Sequence, residues 1–273
     1  MKIWVRHAWC VAAVPLVMSC ARREPVTLTV DFTTRDSWVY EFNVSVGGKV
    51  AMRDSTAACA HAIHGRLTGI PDTADPSALT VTTGDVVLES SMLDEDEKEN
   101  MRRLLDNFTI SFSLRNGLND MSDSLKTPLM PAGQWDLYRH FAKMLPVLPE
   151  GRVRPGYTWE RHAQVPLPTS HGDAVGHLYQ SFRFDSLTGR APDHGRYAHL
   201  SWQFSYAIET GHTDTAGLLD EIPHTGSGAG SATVDVDAKS LREAAVEFTI
   251  PQDSKSDVFS IEWNEKAWIK IVE

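Results

Sequence analysis

Histidines are the side chains in this sequence with the most obvious metal chemistry, yet their spacing does not predict a metal site. Ten of the eleven lie beyond residue 19. His61 and His64 are three residues apart on an expected strand, where that spacing points two side chains to opposite faces. Two other pairs flank loops, His171 with His177 and His194 with His199. None matches a zinc-finger or metalloprotease spacing, so we expect no metal ligands and no cofactor, only adventitious binding by surface histidines.

Three other groups could do chemistry, and each has a plainer structural interpretation. Cys59 lies between two alanines on an expected strand, which indicates a small buried side chain rather than a nucleophile. The glycines of residues 226–230 precede a strand, whereas a phosphate-binding loop needs a helix behind it, so we expect a flexible turn. Asp235 and Asp237 share a strand face and could act as an acid pair or bind calcium, but we expect them to be solvated at a hairpin end. No nucleophile-elbow motif occurs, and no catalytic residue is predicted.

The start of the chain has the pattern of a secretory leader. Lys2 and Arg6 precede an apolar run over residues 8–18, which is too short to span a bilayer. Leu16-Val17-Met18-Ser19-Cys20 resembles the lipobox of a bacterial lipoprotein signal peptide. The resemblance implies that Cys20 is acylated and becomes the first mature residue, so residues 1–19 form the signal peptide and 20–25 a lipidated tether. The alternative is an ordinary secretory leader that ends near a chance cysteine.

Localisation follows from the same resemblance. Ala21 rather than Asp follows the lipid site, which favours the outer membrane of the cell envelope if the organism is Gram-negative. The membrane is therefore an expected partner through the acyl chains (palmitate and related groups) on Cys20.

Composition limits the remaining partners. Removal of the leader leaves 254 residues with 24 basic and 36 acidic side chains, a formal charge of −12. An acidic chain without a basic stripe argues against nucleic acid and against anionic membrane surfaces as partners. The hydrophobic content of 42% is sufficient for a sizeable core. Only Cys59 remains besides the lipid site, so no intrachain disulfide is possible.

Apolar and polar residues alternate over most of the sequence, which is typical of antiparallel strands with one buried face. The pattern predicts a mainly β (α+β) fold: a long curved antiparallel sheet or open half-barrel, with two helices packed on it. Residues 26–273 are expected to form one domain, with possible halves 26–150 and 151–273. The expected helices are one capped by Ser91, with an apolar stripe over residues 101–108, and one over residues 132–144 that Pro146 ends.

A short motif adds a family resemblance. Residues 148–159, Leu-Pro-Glu-Gly-Arg-Val-Arg-Pro-Gly-Tyr-Thr-Trp, carry the order Leu-Pro, Val, Gly, Trp that recurs in uncharacterised β-rich bacterial lipoproteins. Gly226-Ser227-Gly228 and a hairpin near Asp235 also fit, although Lys239-Ser240 stands where a glycine is expected. The resemblance implies a fold like that of periplasmic lipoprotein carriers of the LolA and LolB type, which bind acyl chains in a concave face. It transfers no catalytic residue.

These observations predict a non-enzymatic, lipid-anchored envelope protein that binds a ligand or partner through its curved sheet. The alternatives are a hydrolase built from scattered His, Asp and Ser residues, and a structural subunit of an envelope assembly. A set of aromatic residues is expected to form one sheet face: Trp38, Tyr40, Phe42, Trp202, Phe204 and Trp263. That face has two possible uses, packing under the chain's own helices or holding an apolar ligand, and we expect self-packing because two amphipathic helices are available.

Overall fold

Strands account for most of the described chain. A computed structural model describes residues 24–52, 55–115, 137–169, 172–189, 195–209, 225–250 and 259–272. The strands are β1 Val26–Thr27, β2 Trp38–Met52, β3 Ser55–Pro71, β4 Ala78–Ser90, β5 Thr109–Ser113, β6 Arg152–Val153, β7 Thr158–Thr169, β8 Gly172–Thr188, β9 Tyr197–Glu209, β10 Thr225–Asp235, β11 Ser240–Ile250 and β12 Phe259–Ile271. The helices are α1 Glu95–Leu105 and α2 Leu137–Met144, with a 3-10 turn at Phe32–Thr34. The predicted mainly β class is confirmed.

Ten of the strands form one open antiparallel sheet in the order β5-β4-β3-β2-β12-β11-β10-β9-β8-β7. The last strand, β12, pairs with β2 from Phe259 opposite Met52 to Ile271 opposite Tyr40, and this joins the early strands to the late ones. The two edges are a short strand, β5, and a strand with two prolines, Pro166 and Pro168, in β7. Short or proline-containing edges resist pairing with another chain. β1 and β6 form a separate two-stranded sheet.

The alternation that predicts the strands also decides which sheet face is buried. On β2 the side chains of Trp38, Tyr40, Phe42, Val44 and Val46 are all buried, whereas their neighbours are half-buried or exposed. On the other face large side chains reach solvent, with Trp268 40% exposed. We call the buried side of the ten-stranded sheet the inner face.

An early segment covers one end of the inner face. Val26, Leu28, Val30 and Phe32 are buried. The segment is tied to two turns, since Asp31 N donates to Lys239 O (2.8 Å) and Phe32 N to Pro76 O (2.7 Å). It thereby closes the core at that end.

The two helices have different positions, and the expectation that both pack over the sheet is not supported. α1 packs against β4, with Leu105 buried and Leu104 54% exposed. α2 lies on the inner face against β10, β11 and β12. Neither helix that the structure describes is long and apolar enough to cross a lipid bilayer.

The expected Ser91 cap of α1 is wrong. Asp94 caps the helix, because its side chain accepts from Glu97 N and the Glu97 side chain accepts from Asp94 N. Ser91 instead exchanges hydrogen bonds with Ala60 on β3. Both acidic residues fit a capping box three positions apart, and the pairing of Ser91 with β3 leaves the cap to Asp94.

The motif at residues 148–159 forms a turn followed by the start of β7. Tyr157 N donates to Arg154 O (2.9 Å), and Gly156 takes φ +95°, which favours glycine. Trp159 lies in β7, and its Nε1 donates to Val147 O (2.7 Å). This ties the start of β7 to the segment that follows α2.

Candidate functional site

Three alternate glycines of β10 form the floor of the inner face below α2. Gly226, Gly228 and Gly230 lie in the strand, so the expectation of a flexible turn at residues 226–230 is wrong. Their missing side chains make room for aromatic rings from the adjacent strands. A Cβ at Gly226 would lie 2.6 Å from Phe248 Cε2 and closer to Cζ, one at Gly228 would lie 2.5 Å from Phe204 Cζ, and one at Gly230 would lie 2.5 Å from Trp202 Nε1 and closer to two carbons of the indole. The glycines are therefore required by close packing of rings on the sheet.

The rings on this floor contact one another. Phe204 and Phe248 stack across β10 with centroids 5.7 Å apart and planes 14° apart. Trp202 packs against Phe182 of β8 at 5.6 Å. Such pairs add stabilisation beyond the area they bury, and here they give the inner face a broad aromatic surface.

Helix α2 lies directly on this aromatic surface. Phe141 packs edge-on against Phe42 of β2, with centroids 6.2 Å apart. Trp202 Nε1 donates to Lys143 O (3.2 Å), which fixes the indole below the helix end. Phe141, Met144 and Leu145 are buried. Helices this short are marginal alone in water, so α2 depends on these sheet contacts.

Two polar side chains of α2, His140 and Lys143, are also buried, and both point to one carboxylate of the sheet. Glu265 of β12 is 3% exposed. Its Oε1 lies 2.6 Å from His140 Nδ1, and its Oε2 2.6 Å from Lys143 Nζ. Lys143 Nζ also lies 4.2 Å from the ring centre of Phe248, within cation–π range. We call His140, Lys143 and Glu265 the buried charge cluster.

The electrostatics of the cluster keep Glu265 ionised. Burial alone would raise the pKa of this carboxyl, but the charges of His140 and Lys143, with their hydrogen bonds, lower it to about 2. The carboxylate of Glu265 therefore stays anionic inside the protein and pairs with Lys143. It is a weak proton acceptor, which does not favour general-base chemistry.

The structure describes five of the six predicted aromatic side chains, and all five are buried on the inner face. Phe42, Trp202 and Phe204 lie below or beside α2. Trp38 and Tyr40 lie at the far end, where Trp38 Nε1 donates to Phe32 O (2.6 Å) and Tyr40 OH to Leu241 O (3.3 Å).

Burial raises the pKa of Tyr40 far above its usual value despite the opposing charges of Arg35 and Arg242. Trp263 belongs to β12 opposite Gly48, but its side chain lies outside the described residues, as does all of Cys20.

The sequence reasoning missed the buried charge cluster, although one signal was present. On β12 the inward positions alternate through Glu265, Ala267, Ile269 and Ile271. Glu265 thus occupies an apolar position of a strand, and a charged residue in phase with core residues indicates a buried partner. No comparable signal identifies His140 and Lys143, because their positions depend on how α2 is docked.

The remaining titratable candidates have structural roles. His61 is buried with Nδ1 2.8 Å from Ser90 Oγ, whereas His64 is exposed, as the three-residue spacing predicts. Cys59 is buried, and burial raises the pKa of its thiol.

Asp235 and Asp237 are not simply solvated, contrary to expectation. Asp235 is buried and accepts from Asp237 N and Ala238 N in the β10–β11 turn, while Asp237 pairs with Arg196 at 2.6 Å.

Among the residues that the structure describes, no group of three or more His, Cys, Asp or Glu side chains is placed to hold a metal ion.

Comparison with known proteins gives only weak similarities. No family model and no curated protein matches the chain. Among solved structures, lipovitellin, described for its lipid–protein interactions, is similar with a TM-score of 0.47 and 7% identity, over 87% of this chain and 25% of that one. The chain thus spans a quarter of that protein. A DUF1329 family protein from Desulfovibrio piger gives a TM-score of 0.11 and 6% identity, over 88% and 86% of the two chains. Both TM-scores are below 0.5, so neither similarity supports a conclusion about function.

Proposed function

We propose that this chain is a lipid-anchored protein of the cell envelope that binds an apolar ligand on its inner face, in the place where α2 lies. The role is non-enzymatic. The observation that supports it is that a short helix covers an aromatic and glycine floor and is held there by buried charges. The ligand replaces the helix on the rings of Trp202, Phe204 and Phe248.

The charged contacts between α2 and the sheet support the proposal that a ligand can replace the helix. Replacing a buried ion pair by apolar residues of similar volume is often neutral or stabilising. A helix that served only to seal a core could do so with apolar residues at the positions of His140 and Lys143, without the cost of removing charges from water. When α2 is absent, Glu265 remains on the sheet beside the aromatic rings and gives this surface a charged group that can select a specific ligand. The length of α2, eight residues or about 12 Å, sets the scale of that occupant.

The membrane anchor in this proposal depends on the resemblance of residues 16–20 to a lipobox. Acyl chains contribute about 0.8 kcal/mol per buried CH₂, and stable attachment requires more than one chain. The tether of residues 20–25 leads directly into β1, so an anchored Cys20 would keep the folded part within about 20 Å of the bilayer.

A titration with the neutral fluorescent probe N-phenyl-1-naphthylamine tests the binding site. We expect saturable micromolar binding that is lost in Trp202→Ala, because that indole lies on the floor below α2. Trp268→Ala is the matched control, since Trp268 lies on the outer face and is 40% exposed. Circular dichroism establishes that both variants remain folded. Equal loss in both variants, or no binding to the native chain, would contradict the proposal.

A further inference from the structure

The ammonium group of Lys143 occupies a cage that the sheet supplies. Its Nζ lies 2.6 Å from Glu265 Oε2 and 4.2 Å from the ring centre of Phe248. Glu265 and Phe248 are direct partners in the pairing of β11 with β12, so both belong to the sheet and stay in place whatever α2 does. A buried carboxylate beside an aromatic face is the chemistry that recognises an organic cation.

The Phe248 ring, which forms the aromatic side of this cage, is held in position by the glycines of β10 and the neighbouring Phe204 ring. The Phe248 ring lies over Gly226, where a Cβ would come within 2.6 Å of it. It also stacks with Phe204, whose own ring lies over Gly228. The ring therefore has little freedom to turn away, and the cage is preformed by the register of three strands.

Removal of α2 without replacement would take away both partners that lower the pKa of Glu265, so the carboxylate would either lie unpaired in an apolar surrounding or take up a proton. An uncompensated buried charge is strongly unfavourable. A ligand that displaces the helix therefore binds more tightly if it brings its own positive charge to Glu265. A fatty acid would instead place a second carboxylate against the first, which like-charge repulsion opposes.

We infer that the ligand of the inner face is a cationic amphiphile, an apolar chain with an ammonium head group, and that Lys143 with Phe141 of α2 imitates it within the chain. The inference rests on the proposed function and specifies its ligand class. Glu265 and Phe248 bind the ammonium group, and the rings of Phe204 and Trp202 contact the apolar chain.

Three twelve-carbon probes test the inference on the full chain: dodecylammonium, dodecanol and dodecanoate, each titrated below its critical micelle concentration by calorimetry. We expect dodecylammonium to bind about tenfold or more tightly than dodecanol, as a charge-assisted contact requires, and dodecanoate to bind most weakly. Glu265→Gln should reduce the preference for ammonium over alcohol to about twofold or less. Phe248→Leu, which keeps an apolar side chain, should weaken dodecylammonium binding several-fold and dodecanol binding little.

Glu247→Gln is the matched control, because Glu247 lies on the same sheet but is exposed and pairs with Lys266. It should keep the full preference. Equal affinity for the ammonium and the alcohol would overturn the inference while leaving apolar binding intact, and so would tightest binding of dodecanoate. If none of the three probes binds, both the inference and the proposed function fail. A preference that survives in both Glu265→Gln and Phe248→Leu would place the cation elsewhere and also overturn the inference.

Discussion

Substitution of Gly230 by alanine tests the packing on which the candidate site is built. A Cβ at this position would lie 2.5 Å from Trp202 Nε1 and closer to two carbons of the indole. Ordinary contact begins near 3.5 Å, so the ring would have to retreat by more than about 1 Å. The indole cannot do so freely, because it is 2% exposed and donates to Lys143 O.

The magnitude follows from three contributions. Overpacking of a core by one methyl group costs about 1–3 kcal/mol, and loss of the indole hydrogen bond costs about 0.5–1.5 kcal/mol. Alanine also lowers the conformational entropy of the unfolded chain, which stabilises the folded state by about 0.5–1 kcal/mol. We expect Gly230→Ala to lower the free energy of unfolding by about 2 kcal/mol, which for a chain of this size lowers Tm by about 4–8 °C.

Gly47→Ala is the control, because a Cβ there has nothing within 4 Å. The same chemical change on β2 should be neutral or raise the free energy of unfolding by up to about 1 kcal/mol. Thermal and urea unfolding on a shared Cys20→Ser background measure both variants. In Trp202→Leu, which removes the indole, the added cost of Gly230→Ala should fall below about 0.5 kcal/mol. Equal stability of Gly230→Ala and Gly47→Ala would refute the reasoning.

Three further predictions concern other parts of the chain. Lys239 has φ +49° in the β10–β11 turn, so Lys239→Gly should raise the free energy of unfolding in urea by about 0.5–1 kcal/mol; a loss would show that the side chain matters more than the backbone. Because its neighbours lower the pKa of Glu265 to about 2 from a usual value of 4.5, its stabilisation is fully present above about pH 5.5 and is lost as the pH falls towards 2. Unfolding titrations should therefore show a steeper acid loss in the native chain than in Glu265→Gln, and parallel curves would contradict the assignment. Finally, Cys20→Ser should move the protein out of the membrane fraction, and retention after a salt and carbonate wash would contradict lipid anchoring.

The sequence predicts the sheet well because burial of one face imposes a period of two on the residues themselves. The alternation at Trp38, Tyr40 and Phe42 is visible without knowing what packs on it. The glycines of β10 are misread for the opposite reason. Glycine is read locally as a turn former, but here its role depends on rings from two neighbouring strands, and pairing between distant segments is not visible in one sequence.

The residues of the candidate site also fall into a group that the sequence predicts and a group that it does not. Its aromatic members follow from strand parity, whereas the buried charge cluster joins residues 122 to 125 positions apart in the chain. Glu265 breaks the apolar pattern of β12 and could have been noticed. His140 and Lys143 belong to a helix whose docked orientation only the tertiary structure decides.

Hydrogen exchange with and without saturating dodecylammonium tests the central claim most directly, since it reports whether a ligand takes the place of α2 on the inner face. We predict that amides of residues 137–145 exchange faster when the ligand is bound, because the helix loses its sheet contacts. Amides of β9, β10 and β11 should remain protected, since the strands form the floor in both states. If α2 keeps its protection while the ligand is bound, or if the changes fall on the outer face, the ligand does not replace the helix and the account is contradicted.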